Sequence, residues 1–415
     1  MSTQFDQDLH LIFHKLTENA EVKKALAFLE QDAQNTIAQQ KELVVVEAPT
    51  FQEEKRSLYY AKMLEQAGLQ DVQHDERWNV WGKIYGTGKT GKCILLEGHL
   101  DTVFGWGDVK EVIEKDGKIY APGICDDTRA LAANLSVVRA LVNHNIKPYH
   151  DIMIAGTAAE EGMGAMSGMK HLVNSKADEI IAAISIDGPS NDVIYYNGTG
   201  MINYDVTYTG PGGHAYLAFG TPSALHAMGR AIAALGDMQT PQTPKTTYTV
   251  SLAKAGQAIH GIAQEANFKI NMRSDSAAVL AELETQAIEI FKQAAEQENV
   301  RWGKPDTIQV KFEKILNVPA GSQPDDCRML QAAKLATLSM GITPRPLLGG
   351  CTNTNMPIAI GIPAITYGRG GTEYGTHTVN EWFDPTGVHV CEQKSLLLLL
   401  ALAGLTGVTE APSLK

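Results

Sequence analysis

The sequence predicts an α/β protein: a sheet covered by helices on both faces, with a smaller α+β segment set into the chain. Three observations point there. Runs such as "CILLEGH" and "IIAAISIDGP" are too continuously apolar for half-exposed strands, and they alternate with segments of helical periodicity. After Asn197 the pattern changes to strict alternation, as in "MINYDVTYTG". The first pattern then resumes near "DDCRMLQAAKLATLSMG" and continues to the final helix.

Taken in order, the periodicity from Glu21 to about Gly68 is helical, broken at "EAPTFQEE" by Pro49. "ILLEGHLDTV" reads as a buried strand. "DDTRALAANLSVVRALVNH" follows as a helix, with Leu131, Leu135, Val138 and Leu141 at helical spacing. "HDIMIAGTAAEEG" and "IIAAISIDGP" are two more buried strands with polar C-terminal ends. In the alternating segment Ile202, Tyr204, Val206 and Tyr208 share one side of a strand. A helix "PSALHAMGRAIAAL", strands "TYTVSLAKAG" and "EANFKINMRSD", a helix "AAVLAELETQAIEIFKQAAEQEN" and a strand "TIQVKFEKI" complete that block. The order β-α-β-β-α-β suggests a ferredoxin-like unit with one half-exposed sheet. The expected division is therefore a first domain from 1–198 and 315–415, interrupted by a second at 199–314. A chain of 415 residues exceeds what one hydrophobic core usually spans, which fits two domains.

Composition excludes several classes. A net charge of −12 argues against nucleic acid or an anionic membrane as partner, since either needs a basic face. No stretch reaches the roughly 20 apolar residues of a bilayer span, and "SLLLLLALAGL" reads as a buried core helix. The N-terminal stretch lacks the basic and apolar regions of a secretory signal. Cysteines 93, 125, 327, 351 and 391 form no CxxC pair, which suits reduced thiols in a cytoplasm.

Polar residues gather at the ends of the core elements: His99 and Asp101, Asp126 and Asp127, Glu160 and Glu161, Asp187, and His377 in "EYGTHTVNEW". Sites in open α/β sheets form beyond the carboxyl ends of strands. So many carboxylates in one pocket raise one another's pKa unless cations compensate. Mixed histidine and carboxylate donors suit Zn²⁺, with Mn²⁺ or Co²⁺ as alternatives. Residues i and i+2 of a strand face the same side, so Asp101 is placed to hydrogen-bond the imidazole of His99. The adjacent Glu160 and Glu161 should divide the work, one on metal and one free to take a proton. Each part has a bland reading: Asp126 and Asp127 could simply open the following helix, and His377 could be an ordinary loop histidine. The constellation is stronger than its parts because each part ends a strand or opens a helix.

These residues resemble the M20 family of co-catalytic dizinc metallopeptidases and deacylases, nearly along the whole chain and in order. "GHLDTV", "APGICDDTRALAANL", "TAAEEGMGAMSG", "SIDGP", "GPGGHA" and "GTHTVNEW" are similar to its motifs. The resemblance implies a zinc-exopeptidase-like three-layer α/β catalytic domain and an inserted lid or dimerisation domain. It implies that His99, Asp126 and Asp187 hold one of two divalent ions and that Asp126, Glu161 and His377 hold the other, with Asp126 bridging. Glu160 would be general base, Asp101 would orient His99, and the Asp126–Asp127 bond would be cis. His214 would reach the other subunit's site in a homodimer and stabilise an oxyanion, and Arg273 would grip a substrate carboxylate. Departures fall in the substrate region. His260 stands where the family has Asn, Asn353 where it has Asp, and Thr128 where Lys or a small residue is common. Arg369, in "YGRGG", is placed either to bind a substrate group or to pair with a neighbouring acid.

The expected function is hydrolysis of an amide bond in a small substrate, with exopeptidase action on short peptides first. An N-acyl- or N-carbamoyl-amino-acid amidohydrolase is the alternative with the same chemistry. A non-catalytic ligand-binding member is disfavoured by the intact Glu160. A closed structural metal site is disfavoured because such sites favour thiolates.

Overall fold

The computed structural model describes residues 6–414. The chain divides into two compact units, one from 1–198 and 322–415 and one from 199–321. The sequence-based boundary at 314 falls inside a strand, Gln309–Val318, and the second unit runs on to Gly321.

The first unit is built on an eight-stranded sheet. Its order is Gln70–His74, Val80–Ile84, Asp151–Thr157, Cys93–His99, Ile180–Gly188, Ala364–Gly368, Val193–Tyr195, Arg345–Leu347. The four central strands run parallel. Cys93–His99 and Asp151–Thr157 are buried at every position, as continuous apolar strands between two helical layers must be. Ile94 and Leu96 belong to one core with Leu131, Leu135 and Val138 of helix Thr128–Asn143 and Leu396–Ala403 of helix His389–Ala403. By the two-residue period of a strand, the buried Leu95 faces the opposite layer. Leu396 to Ala403 are fully buried, as expected of a core helix, and no helix among the described residues is long and apolar enough to cross a membrane.

Parallel strands deliver their C-terminal ends to one edge. His99 ends its strand, Thr157 leads into Glu160 and Glu161, Asp187 is the penultimate residue of its strand, and Arg369 follows Gly368. Gly98 explains how closely the next helix approaches that edge. A Cβ there would lie 2.6 Å from the Ala130 Cβ and 2.9 Å from Asp127 Oδ2. Only a hydrogen at this position lets helix Thr128–Asn143 seat against the His99 strand.

A small sheet was not legible in the sequence. It orders Thr372–Tyr374, Trp382–Asp384, Lys118–Tyr120 and Ile113–Lys115, all antiparallel. The first two strands flank the loop carrying His377, and the third precedes the loop carrying Asp126. The Asp126–Asp127 peptide is cis. Residues 7–67 are largely helical, at Gln7–Glu18, Ala20–Gln31, Ala33–Val44 and Glu54–Ala67, the last ended by Gly68 at φ 99°, a left-handed cap that favours glycine.

The second unit has an antiparallel sheet in the order Thr246–Ala255, Glu265–Ser274, Gly200–Thr209, Gln309–Val318. Helices Ala224–Gly236 and Ala277–Arg301 cover one face. Ile202, Tyr204, Val206 and Tyr208 point into that core with Phe268, Ile270 and Phe291. The opposite face carries Asp205, Thr207, Lys269, Lys311 and Glu313, so the alternation expected of a half-exposed ferredoxin-like sheet is present.

Gly98→Ala is expected to destabilise the first unit by about 1–3 kcal/mol, the usual range for overpacking a tight interface. Denaturant unfolding checks it: an unchanged midpoint would show that the helix can retreat without loss.

Candidate metal centre

The two histidines are held so that each turns Nε2 towards carboxylates. His99 Nδ1 lies 3.0 Å from the main-chain carbonyl of Asp101. A carbonyl only accepts, so Nδ1 donates, and in the neutral ring Nε2 is left without a proton. That Nε2 lies 3.0 Å from Asp126 Oδ1 and 4.0 Å from Asp187 Oδ1. His377 Nε2 lies 3.1 Å from Asp126 Oδ2 and 2.9 Å from Glu161 Oε1. Asp126 thus turns one oxygen to each imidazole. Donor atoms of His99, Asp126, Asp127 and Asp187 lie within 4.8 Å of one another, as do those of His99, Glu160 and Glu161 and those of Asp126, Glu161 and His377.

The electrostatics follow from crowding acceptors out of water. Hydrogen bonds to Asp126 and Glu161 push the His377 imidazole up to about 10. Burial opposes protonation of His99, but hydrogen bonds to Asp101 and Asp126 outweigh it and hold this imidazole well above its usual value. Burial, reinforced by Asp126 and Glu161, raises Asp187 to about 7 although Arg369 and His99 oppose it. Burial is also the main reason the Glu160 carboxyl stands well above the usual range. Asp126 is driven well below it; burial opposes this, but Arg369, His377 and His99 prevail. Two imidazole nitrogens packed against carboxylate oxygens must share either protons or a cation with them. The donor set of nitrogen and hard oxygen fits divalent ions of the zinc type.

The surrounding loops are tied by acids. The Asp101 carboxylate accepts from the main-chain N–H groups of Glu160 and Glu161, both at 3.0 Å, and from the Thr50 hydroxyl at 2.9 Å. Its side chain is 3.5 Å from His99 Nδ1. The sequence reading gave the orienting of His99 to this carboxylate. The structure gives the shorter contact to the Asp101 carbonyl and turns the carboxylate to the paired-glutamate loop, because Asp101 lies just past the end of its strand.

Two acids that sequence reasoning missed do similar work. Glu53 accepts from Phe51 and Ala159 N–H at 2.8 and 3.0 Å, and burial with the Asp101 charge raises it to about 6. Glu381, fully buried, accepts from Gly123, Cys125 and Asp126 N–H at 2.9, 2.7 and 3.2 Å. Glu381 stands four residues after His377 and so ties the loops of His377 and Asp126 together. Its only sequence signal is an acid inside "THTVNEW", next to an aromatic residue.

Asn353, expected in the substrate pocket, is buried. Its Nδ2 donates to Glu97 Oε2 at 3.0 Å and Thr157 Oγ1 at 2.9 Å, so its donor group is spent beneath the His99 strand. Arg369 is likewise buried and pairs with Asp126, Asp127, Asp187 and Glu373. Thr128 donates from its hydroxyl to the Gly123 carbonyl at 2.6 Å, closing the turn before its helix. His214, His260 and Arg273 belong to the second unit. Strand Gly213–His214 pairs with Gly261–Ile262, which brings His214 and His260 to neighbouring loops. His214 Nδ1 accepts from Tyr216 and Leu217 N–H at 3.2 and 3.4 Å, leaving the ring proton on the exposed Nε2. Arg273 Nε donates to Asn271 Oδ1 at 3.1 Å.

Residues 95–400 match the model of peptidase family M20/M25/M40. The chain belongs to this family. An uncharacterized metallohydrolase of Methanocaldococcus jannaschii is 33% identical over 28% of this chain and 29% of its own. Acetylornithine deacetylase of Myxococcus xanthus is 27% identical over 55% of this chain and 59% of its own. The matches thus span less than two thirds of either relative. The crystal structure of aminopeptidase PepT from Bacillus cereus superposes with a TM-score of 0.75 at 20% identity, over 88% of this chain and 98% of that one, which shows a shared fold. As a member of the M20 family the chain is expected to depend on metal, and the His/Asp/Glu cluster is where it would bind.

Glu381→Ala is expected to lose about 1–3 kcal/mol of stability from buried N–H groups left without an acceptor and to weaken metal binding by about 10–100-fold. Denaturant unfolding and equilibrium dialysis measure the two. Unaltered metal affinity would separate Glu381 from the centre.

Proposed function

We propose that this M20 member is a metal-dependent hydrolase that cleaves the amide bond of short peptides from one end. The observation that carries the reading is Asp126, whose two oxygens face two separate imidazoles while Glu160 stands in the same cluster. His99, Asp126 and Asp187 would hold one divalent ion, and Asp126, Glu161 and His377 a second, with zinc the best match to the donors. When bound, such ions polarise a scissile carbonyl and make water nucleophilic at neutral pH.

The chain's own residues do the rest. Glu160 takes a proton from the attacking water and returns it to the leaving nitrogen; burial holds its carboxyl above the usual range. Asp101 holds the Glu160 and Glu161 main chain, which sets the distance between base and ligand. Its carbonyl fixes the tautomer of His99. In a homodimer His214 would supply an N–H donor to the oxyanion in the other subunit's site, as its outward Nε2–H allows, and Arg273 and His260 would take the substrate's terminal groups. Arg369 and Asn353 are proposed to support the site from behind, since both are buried among the protein's own polar groups. A homodimer through the second unit is supported by the exposed side chains Tyr216, Leu217, Phe219 and Ile259 on its surface. A reducing compartment such as the cytoplasm is the proposed setting.

A second reading is favoured by the deacetylase relative: removal of an acyl or carbamoyl group from an amino acid. The metal ligands serve both reactions, and a panel of di- and tripeptides against N-acetyl, N-succinyl and N-carbamoyl amino acids separates them. Consumption of one acyl amino acid with every peptide intact would replace the first reading by the second.

On whichever substrate the panel selects, Glu160→Gln is expected to lower kcat by about 10²–10⁴-fold with metal content unchanged. Equal turnover by both proteins would remove Glu160 from the chemistry, and no turnover of any amide by wild type would favour a binding role.

A further inference from the structure

Arg369 follows strand Ala364–Gly368 and is 4% exposed. Its fork is spent on acids of the protein. Nε reaches Asp127 Oδ1 at 3.0 Å and Nη1 reaches Glu373 Oε2 at 2.8 Å. Nη2 bridges Asp126 Oδ1, at 2.7 Å, and Asp187 Oδ1. Those are the same two oxygens that approach His99 Nε2. The other half of the cluster, formed by Asp126 Oδ2, Glu161 and His377, receives no hydrogen bond from Arg369 among the described residues. The guanidinium is therefore placed asymmetrically, against one imidazole–carboxylate group and not the other. Asp127 accepts both from Arg369 and from the His99 main-chain N–H at 2.9 Å, so the arginine is also fixed to the backbone of a proposed ligand.

We propose that Arg369 is a resident cation of the cluster. It holds the acids together before metal arrives, and it makes the His99–Asp126–Asp187 half take its divalent ion last and more weakly than the Asp126–Glu161–His377 half. The inference rests on the metal-dependent reading above. Its physical basis is twofold. A fixed positive charge beside a divalent ion repels it, and burial keeps that repulsion from being screened. Nη2 also occupies Asp126 Oδ1 and Asp187 Oδ1, whose lone pairs the ion would need. In the metal-free protein the same charge offsets the mutual repulsion of Asp126, Asp127 and Asp187. Arg369 thus acts through these carboxylates as a positioning residue. Its removal should move two properties in opposite directions, whereas loss of a merely structural residue would weaken both.

The test uses chelated full-length protein titrated with Co²⁺, followed by visible absorption and by thermal melting. Wild type is expected to fill in two steps separated by roughly tenfold or more. In Arg369→Met, relief of the charge repulsion should tighten the second step by about tenfold or more and the gap should close. The chelated variant should melt below chelated wild type, while its gain on saturation with cobalt should be larger. If Arg369→Met does not fold, Arg369→Lys carries the test. A lysine is a point charge that cannot span both carboxylates, so the protein should fold and the second step should tighten by about threefold. An unchanged gap in either folded variant, or parallel weakening of both steps, overturns the inference. Two equal tight steps in wild type overturn it while leaving the metal reading intact. Absence of cobalt binding by wild type overturns both.

Discussion

Lone pairs facing lone pairs set the problem that this structure solves. The Asp101 carbonyl takes the proton of His99 Nδ1, so Nε2 meets Asp126 and Asp187 as one acceptor meets others. His377 turns its Nε2 to Asp126 and Glu161 at 3.1 and 2.9 Å. Without cations the cluster must hold protons instead, and the upward displacement of His99, His377, Glu160 and Asp187 expresses that demand. Arg369 meets part of it with a covalently attached charge. The rest of the cluster is complementary to ions that the protein must acquire.

The fold is the means of bringing these groups to one place. Parallel strands end on a common edge, so His99, the Glu160–Glu161 loop, Asp187 and Arg369 need only follow their strands. His377 and Asp126 come from loops outside that sheet and are joined by the small antiparallel sheet and by Glu381. Asp101, Glu53 and Glu381 share one device: a buried carboxylate that accepts two or three main-chain N–H groups and fixes a loop. Such acids appear functional in a list of charges, but their chemistry is spent on the backbone.

The same distinction explains what was legible in the sequence. Long apolar strands with polar ends, and the alternation of Gly200–Thr209, carry strong periodic signals, and both architectures follow from them. His99, Asp126, Glu160, Glu161, Asp187 and His377 stood out because each interrupts or terminates such a signal. Three-residue strands such as Lys118–Tyr120 and Trp382–Asp384 are too short to show a period, so the small sheet stayed hidden. The boundary set at 314 came from the apolar pattern of one strand, which continues to Val318. Sequence position puts Asn353 in the substrate pocket because its loop lies near the site, and leaves Arg369 open between a substrate group and a neighbouring acid. Their burial depends on which acids lie behind them, and Glu97 and Asp187 are far from them in sequence. Sequence spacing says nothing about partners of that kind.

Anomalous diffraction from crystals of the protein soaked in Zn²⁺ tests the central claim most directly. Data collected on either side of the zinc absorption edge should give one peak among His99, Asp126 and Asp187 and another among Asp126, Glu161 and His377. Ions found only on surface histidines, with the imidazoles of His99 and His377 still bonded to carboxylates, would contradict it.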